Sequence, residues 1–174
     1  MNSINLKRVS LNEIDQLQKI GKQTFFETFA SANTKEDMDA YLDEAFSIEK
    51  LTSELNNKNT EFYFAIWENK QIGYLKINIG QSQTALQDDK AIEIERIYVL
   101  KDFHGKEVGQ ALFEKALQIS IIRNAEYIWL GVWEENPRAI KFYKKNGFVE
   151  FDKHVFKLGN DDQTDIMMKR MLEY

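Results

Sequence analysis

The sequence predicts an α/β protein with a mixed, mainly antiparallel central sheet and helices on both faces. Three observations carry this. Strand-like runs outnumber helical ones, and several follow each other directly. Segment 61–80 reads as a hairpin, with two extended runs around the polar turn "ENKQ". Segment 91–133 reads strand–helix–strand, a crossover that makes its two strands parallel or near-parallel neighbours. The 174 residues fit one domain, 1–174, with room for a core.

In chain order, "INLKRV" (4–9) alternates and reads as a strand. Over 11–31, Leu11, Ile14, Leu17, Ile20, Phe25 and Phe29 recur near helical spacing. A second helix starts at Thr34, followed by Asp37 as in a capping box. Its apolar stripe is Met38, Tyr41, Leu42, Ala45 and Phe46; Glu36, Asp39 and Asp43 lie on a different face. After the hairpin, "AIEIERIYV" (91–99) is a strand, and a helix runs to about Arg123. "YIWLGVW" (127–133) is a buried-type strand. Asn136 suits a helix cap, Pro137 the first helical position and Gly147 the position after the helix. "FVEFDKHVFKLG" and "TDIMMKRML" are two closing strands.

Composition excludes several function classes. The chain has no cysteine, so disulfides, thiol nucleophiles and thiolate metal sites are absent, in keeping with a cytoplasmic location. Neither His104 nor His154 has metal-ligand company, so no metal is expected. The longest apolar runs, such as Phe62–Trp67, fall far short of a membrane span, and "MNSINLKRVS" lacks a signal-peptide core. The net charge is −5 and no Arg-rich aromatic platform is present, which argues against nucleic acid. The charge is unevenly spread. Residues 11–55 carry four Lys and ten Asp or Glu, whereas 96–147 carry nine Lys or Arg and six Asp or Glu. This asymmetry suggests two ligands of opposite sign.

"HGKEVGQALFEKAL" (104–117) places a basic residue and two glycines at the mouth of a helix. The unpaired first-turn N–H groups and the helix dipole make an anion site there, and Gly105 and Gly109 let a ligand reach the backbone. Lys106 can add a positive charge. The stretch lacks the Gly-Lys-Ser/Thr of a Walker A loop and the spacing of a dinucleotide fingerprint. Taken alone, it also fits an ordinary turn and helix start.

"ERIYVLKDFHGKEVGQALFEKAL", a strand, and then "ENPRAIKFYKKNGF" resemble the GNAT N-acetyltransferase superfamily over residues 91–149. "TFFETFASANTKEDMDAYLDEAF" and "IEIERIYV" extend a weaker resemblance, to PaiA-type polyamine acetyltransferases, over most of the chain. The resemblance implies acetyl-CoA as cosubstrate and a small amine, of the spermidine or spermine kind, as acceptor. It implies a pyrophosphate cradle from His104, Gly105, Lys106, Val108, Gly109 and Gln110. Ile97 and Val99 would meet the pantetheine arm, and Lys145, with Lys141 and Lys144, would lie near the 3′-phosphate. Asn136, matched with Ala139 and Tyr143 to the family's Asn-x-x-Ala-x-x-x-Tyr segment, would bond the cofactor, although its capping role explains it equally well. Two positions depart from the family pattern: His104 stands for the usual Arg or Gln, and Glu107 for the first motif glycine.

Direct transfer needs a neutral amine, hence a base, and an acid for the departing thiolate. The resemblance implies Tyr143 as the acid and Glu93 as the base, with Glu95 as runner-up. The alternation puts both carboxylates on one strand face with Val99, and a core-facing carboxylate has a raised pKa. The acidic run Glu36, Asp37, Asp39, Asp43 and Glu44 is expected to hold a polycationic acceptor. A protein N-terminus or another small amine stays open as acceptor, as does a non-catalytic acyl-CoA-binding regulator. A homodimer is left open.

Overall fold

The computed structural model describes residues 3–174. The elements are β1 (Asn5–Arg8), α1 (Ile14–Phe29), α2 (Lys35–Ala45), α3 (Ile48–Asn56), β2 (Thr60–Trp67), β3 (Lys70–Ile79), β4 (Ala91–Val99), α4 (Val108–Ile122), β5 (Tyr127–Trp133), α5 (Pro137–Lys145), β6 (Val149–Leu158) and β7 (Asp161–Met171). The seven strands form one sheet in the order β1-β2-β3-β4-β5-β7-β6. Among the described residues only β4 and β5 pair in parallel; every other neighbouring pair is antiparallel. The mixed, mainly antiparallel sheet expected from the sequence is the one observed.

Local chemistry sets most boundaries. The Thr34 side chain accepts from the Asp37 N–H, and the Asn136 side chain accepts from the Ala139 N–H with Pro137 behind it. Glu68 and Asn69, both at positive φ, close the β2–β3 hairpin in two residues. The helix α3 has no counterpart in the sequence-based expectation. It is short, yet Ser47 caps it by accepting from the Lys50 N–H, and Leu51 is fully buried. The 11–31 helix is shorter than its periodicity suggests: 3-10 turns at Leu11–Glu13 and Ala30–Ala32 flank α1.

Two cores sandwich the sheet. On one face Leu112, Phe113, Ala116 and Tyr143 of α4 and α5 pack on Leu75, Ile92, Ile94 and Ile128. On the other, Leu17, Ile20, Phe25, Phe46 and Leu51 of α1–α3 and its approach pack on Phe62, Phe64 and Tyr74. Each is a contiguous apolar cluster that withdraws its side chains from water, the main force holding the layers together.

One irregularity in β4 positions the site. Lys76 faces Arg96 but Ile77 faces Ile94, so Glu95 is an extra residue on β4, a β-bulge. The bulge inverts the alternation. Ile92 and Ile94 before it, and Ile97 and Val99 after it, all pack into the α4-side core, while Tyr98 packs on the α1-side. The expectation that Glu93 and Glu95 share a face with Val99 therefore does not hold. Glu93 lies between Ile92 and Ile94 and faces the α1–α3 side, as does Glu95, which pairs with the same Lys76 ammonium as Glu54 of α3. Beyond the bulge, β4 also parts from β5. The ladder joins Ala91–Ile94 to Tyr127–Leu130, and no pairing continues toward Val99 and Trp133.

Candidate active site

A cavity of about 830 Å³ occupies the split between β4 and β5. Its lining comes from both faces of the sheet: the mouth of α4 and Tyr143 of α5 on one side, and Phe29, Tyr41 and Phe156 on the other. The sheet itself is thus perforated, and a molecule on one face can meet a molecule on the other.

At the α4 end, Gly105 adopts φ +76°, and a Cβ there would meet nothing within 4 Å. A Cβ at Gly109 would meet Phe142 and Val99 no closer than 4.0 Å. The protein's own packing therefore leaves this space open beside the unpaired N–H groups of the first turn. This fits a pyrophosphate. His104, Gly105, Val108, Gly109, Gln110, Ile97, Val99, Asn136 and Lys145 all line the cavity. Lys106 does not; its ammonium lies 5.1 Å over the Phe103 ring, outside the cavity lining. Lys144 is paired with Glu150, and neither it nor Lys141 lines the cavity. Gln110 donates to the Asn146 side chain, tying α4 to the end of α5.

His104 stands where a cationic or amide side chain was expected, and its surroundings explain how. Arg138 Nη1 donates to its Nδ1 at 2.8 Å, so Nε2 carries the proton and donates to the Val99 carbonyl, also at 2.8 Å. Burial, with the Arg138 charge beside it, lowers the imidazole pKa and keeps the ring neutral. The cation at this corner is Arg138, which the sequence reading missed. Its signal was the single Arg in "NPRAIKFY".

Glu107 caps α4 in the left-handed region, φ +62° and ψ 13°. A glycine adopts this conformation freely, whereas an L side chain costs roughly 1–2 kcal/mol there. Inside a helix a change to glycine would be destabilising; at this left-handed cap the backbone term favours glycine. Glu107→Gly is expected to keep or raise Tm and, by removing a carboxylate from the cavity lining, to tighten acetyl-CoA binding. Calorimetry with and without ligand checks both; weaker binding would show that Glu107 helps to hold the ligand.

On the chemical groups, Tyr143 is buried, with its ring 5.4 Å from Phe142 and 5.7 Å from Phe148. Burial pushes its phenol pKa up, so the proton stays on. Glu93 is 3% exposed and accepts from Asn78 Nδ2 at 2.8 Å, the Thr84 N–H at 2.9 Å and the Thr84 hydroxyl. Burial nevertheless raises its pKa. Glu95 behaves oppositely. Burial works to raise its pKa, but the Lys76 ammonium and the Arg96 guanidinium outweigh burial and lower it. Of the two carboxylates, Glu93 is therefore the more basic.

On the far face the walls are aromatic: Phe25, Phe29, Tyr41, Trp133 and Phe156. The acidic run on α2 does not reach them. Of that helix only Tyr41 lines the cavity. Asp39 pairs with Lys35, Asp43 with Lys22, and Asp37 accepts from the Asn160 N–H. Glu36 and Glu44 are exposed. The carboxylate that does line this chamber, besides Glu93 and Glu95, is Asp165 on β7. Nothing in its spacing marks it, because β7 reaches the site only through the sheet order.

Residues 22–148 match the acetyltransferase (GNAT) family. The chain belongs to the GNAT family. An uncharacterized N-acetyltransferase of Lactobacillus delbrueckii subsp. lactis is 36% identical over 172 residues, 99% of each chain. The spermidine N(1)-acetyltransferase of Thermoplasma acidophilum is 23% identical over 98% of this chain and 99% of its own. Among solved structures, the PaiA N-acetyltransferase of Thermoplasma acidophilum in complex with coenzyme A shares the fold with a TM-score of 0.81, at 22% identity over 98% of this chain and 99% of that one. The split sheet and the α4 mouth described above are thus set in a GNAT fold. Among the described residues, no group of His, Asp or Glu is arranged to hold a metal ion, and no helix is long and apolar enough to cross a membrane.

Proposed function

We propose that this GNAT protein moves the acetyl group of acetyl-CoA directly onto a primary amine of the polyamine class, in the cytoplasm. The observation that carries the reading is the perforated sheet: one cavity joins the open anion site at α4 to an aromatic chamber on the opposite face, with Glu93 and Tyr143 in its lining. Two ligands entering from opposite faces meet there. Coenzyme A bound to the Thermoplasma structure and the spermidine activity named for the Thermoplasma relative support the choice of ligands.

Acetyl-CoA supplies the activated thioester. The chain supplies the proton chemistry and the binding surface. Glu93 takes the proton from the ammonium, directly or through a water, leaving a nucleophilic nitrogen. The N–C bond forms, the C–S bond breaks, Tyr143 gives its proton to the departing sulfur, and the second proton shed by the acylated nitrogen returns to the Tyr143 phenolate through solvent. Without a cysteine the chain has no thiol to carry the acetyl group itself. Gly105, Val108, Gly109, Gln110, Ile97, Val99, Asn136, Arg138 and Lys145 hold the cosubstrate.

The test is release of free coenzyme A across spermidine, spermine, aminoglycosides, amino acids and peptides. Polyamines are expected to lead in kcat/KM. Turnover led by a peptide or an aminoglycoside would overturn the polyamine assignment, and binding of acetyl-CoA without turnover on any amine would overturn the transfer reading.

A further inference from the structure

Asp165 sits at the far end of the chamber. On β7 it lies opposite Trp133 of β5 and His154 of β6, so all three share a face. Its carboxylate leans over Gly131: Oδ2 is 3.2 Å from where a Cβ of residue 131 would stand. A side chain at 131 would crowd the carboxylate. Around it the rings form a continuous wall. Phe29 is 5.0 Å from Trp133 and 6.3 Å from Phe156, and Tyr41 is 5.6 Å from Phe156.

Asp165 is half-buried, yet among the described residues its carboxylate makes no hydrogen bond and no ion pair. His154, which faces it, is exposed and forms no ion pair with it, and its charge only partly offsets the burial of the carboxylate. The other cation lining this cavity face, Arg96, lies 4.4 Å over the Phe46 ring. A desolvated carboxylate without a partner is costly to keep. Aromatic faces beside a carboxylate are the surroundings an ammonium prefers.

We propose that Asp165, with the walls of Phe29, Tyr41, Trp133 and Phe156, is the subsite for a second ammonium of the acceptor, so that the enzyme selects linear alkyl polyamines. The proposal rests on the amine-acetyltransferase reading and moves acceptor recognition from the acidic face of α2 to β7. Hydrocarbon walls suit a methylene chain. The hydroxyls of an aminoglycoside would lose water there without gaining partners, and the carboxylate of an amino acid would meet Asp165. The spacing also suits a chain with charges at intervals. Glu93 is level with Trp129 and Asp165 with Trp133, four residues along β5, or about 13 Å. The reacting nitrogen and a remote ammonium can then address different carboxylates.

The experiment is calorimetric titration of spermidine into the full-length protein with coenzyme A present. Wild type is expected to bind, and Asp165→Asn to bind at least about tenfold more weakly. Gly131→Ala, which crowds the carboxylate without removing it, is expected to weaken binding as well. Asp39→Asn with Asp43→Asn should bind like wild type. Tm of each variant separates lost binding from lost fold. Wild-type affinity in Asp165→Asn, or failure of wild type to bind spermidine, overturns the subsite. These readouts do not depend on turnover: a protein that binds spermidine through Asp165 but acetylates no amine keeps the subsite and loses the transfer reading, and one that acetylates spermidine equally well without Asp165 does the reverse.

Discussion

Tyr143→Phe is expected to lower kcat about 10²–10⁴-fold, the usual worth of a positioned acid, while the acetyl-CoA Kd stays close to wild type. The substitution keeps the ring and its contacts with Phe142 and Phe148, so packing is conserved and only the hydroxyl is lost. The raised phenol pKa gives the effect a second signature. A tyrosine that holds its proton above the ordinary range near pH 10 does not produce an alkaline loss of activity below that range. Steady-state kinetics over pH check both, and a kcat near wild type would reduce Tyr143 to a packing residue.

Gly109→Asp is expected to weaken acetyl-CoA binding by more than about tenfold, equivalent to more than about 1.4 kcal/mol, without unfolding the protein. The two halves of this expectation have separate causes. Residue 109 lies in the first turn of α4, where an acidic side chain complements the helix dipole, and a Cβ there meets only ordinary contacts at 4.0 Å. The fold therefore tolerates the change. A ligand anion at the same N–H groups does not, because a carboxylate now competes for them. Calorimetry for affinity and a thermal melt for stability check it, and unchanged affinity would mean that the anion is held elsewhere.

A smaller effect concerns Asp165 and stability. Burial pushes its pKa up to about 6, from an ordinary value near 4. A carboxyl raised on folding favours the protonated native state, so its contribution is full below about pH 4 and is lost as pH rises through 6. In the absence of ligand, Asp165→Asn is expected to raise stability at pH 7 by on the order of 2 kcal/mol, an amount that partial exposure reduces, and to flatten the fall in Tm between pH 4 and 6. A lower Tm at pH 7 would show that the carboxylate has a structural partner.

Features governed by local chemistry are legible in the chain alone. Thr34, Asn136, Pro137 and Gly147 mark helix ends because caps and fixed dihedrals act over a few residues. The 91–133 crossover and the glycines at the mouth of α4 are legible for the same reason, and with them the GNAT resemblance and the α4 side of the cavity. α3 escaped because nine residues give periodicity little length to declare itself. The remaining features depend on contacts between segments distant in the chain. The bulge at Glu95 arises from how β3 and β4 pair, and it reverses which face each later residue of β4 presents. That reversal separates Glu93 from Val99. Whether a carboxylate's pKa rises or falls depends on neighbours distant in sequence: burial raises that of Glu93 against the hydrogen bonds of Asn78 and Thr84, whereas Lys76 lowers that of Glu95. The acidic stretch of α2 is conspicuous in the sequence but turns outward, because Met38, Leu42 and Ala45 claim the inner face of that helix. Asp165 is inconspicuous in the sequence yet lines the chamber, because the strand order brings β7 beside β5 and Gly131 leaves its carboxylate room.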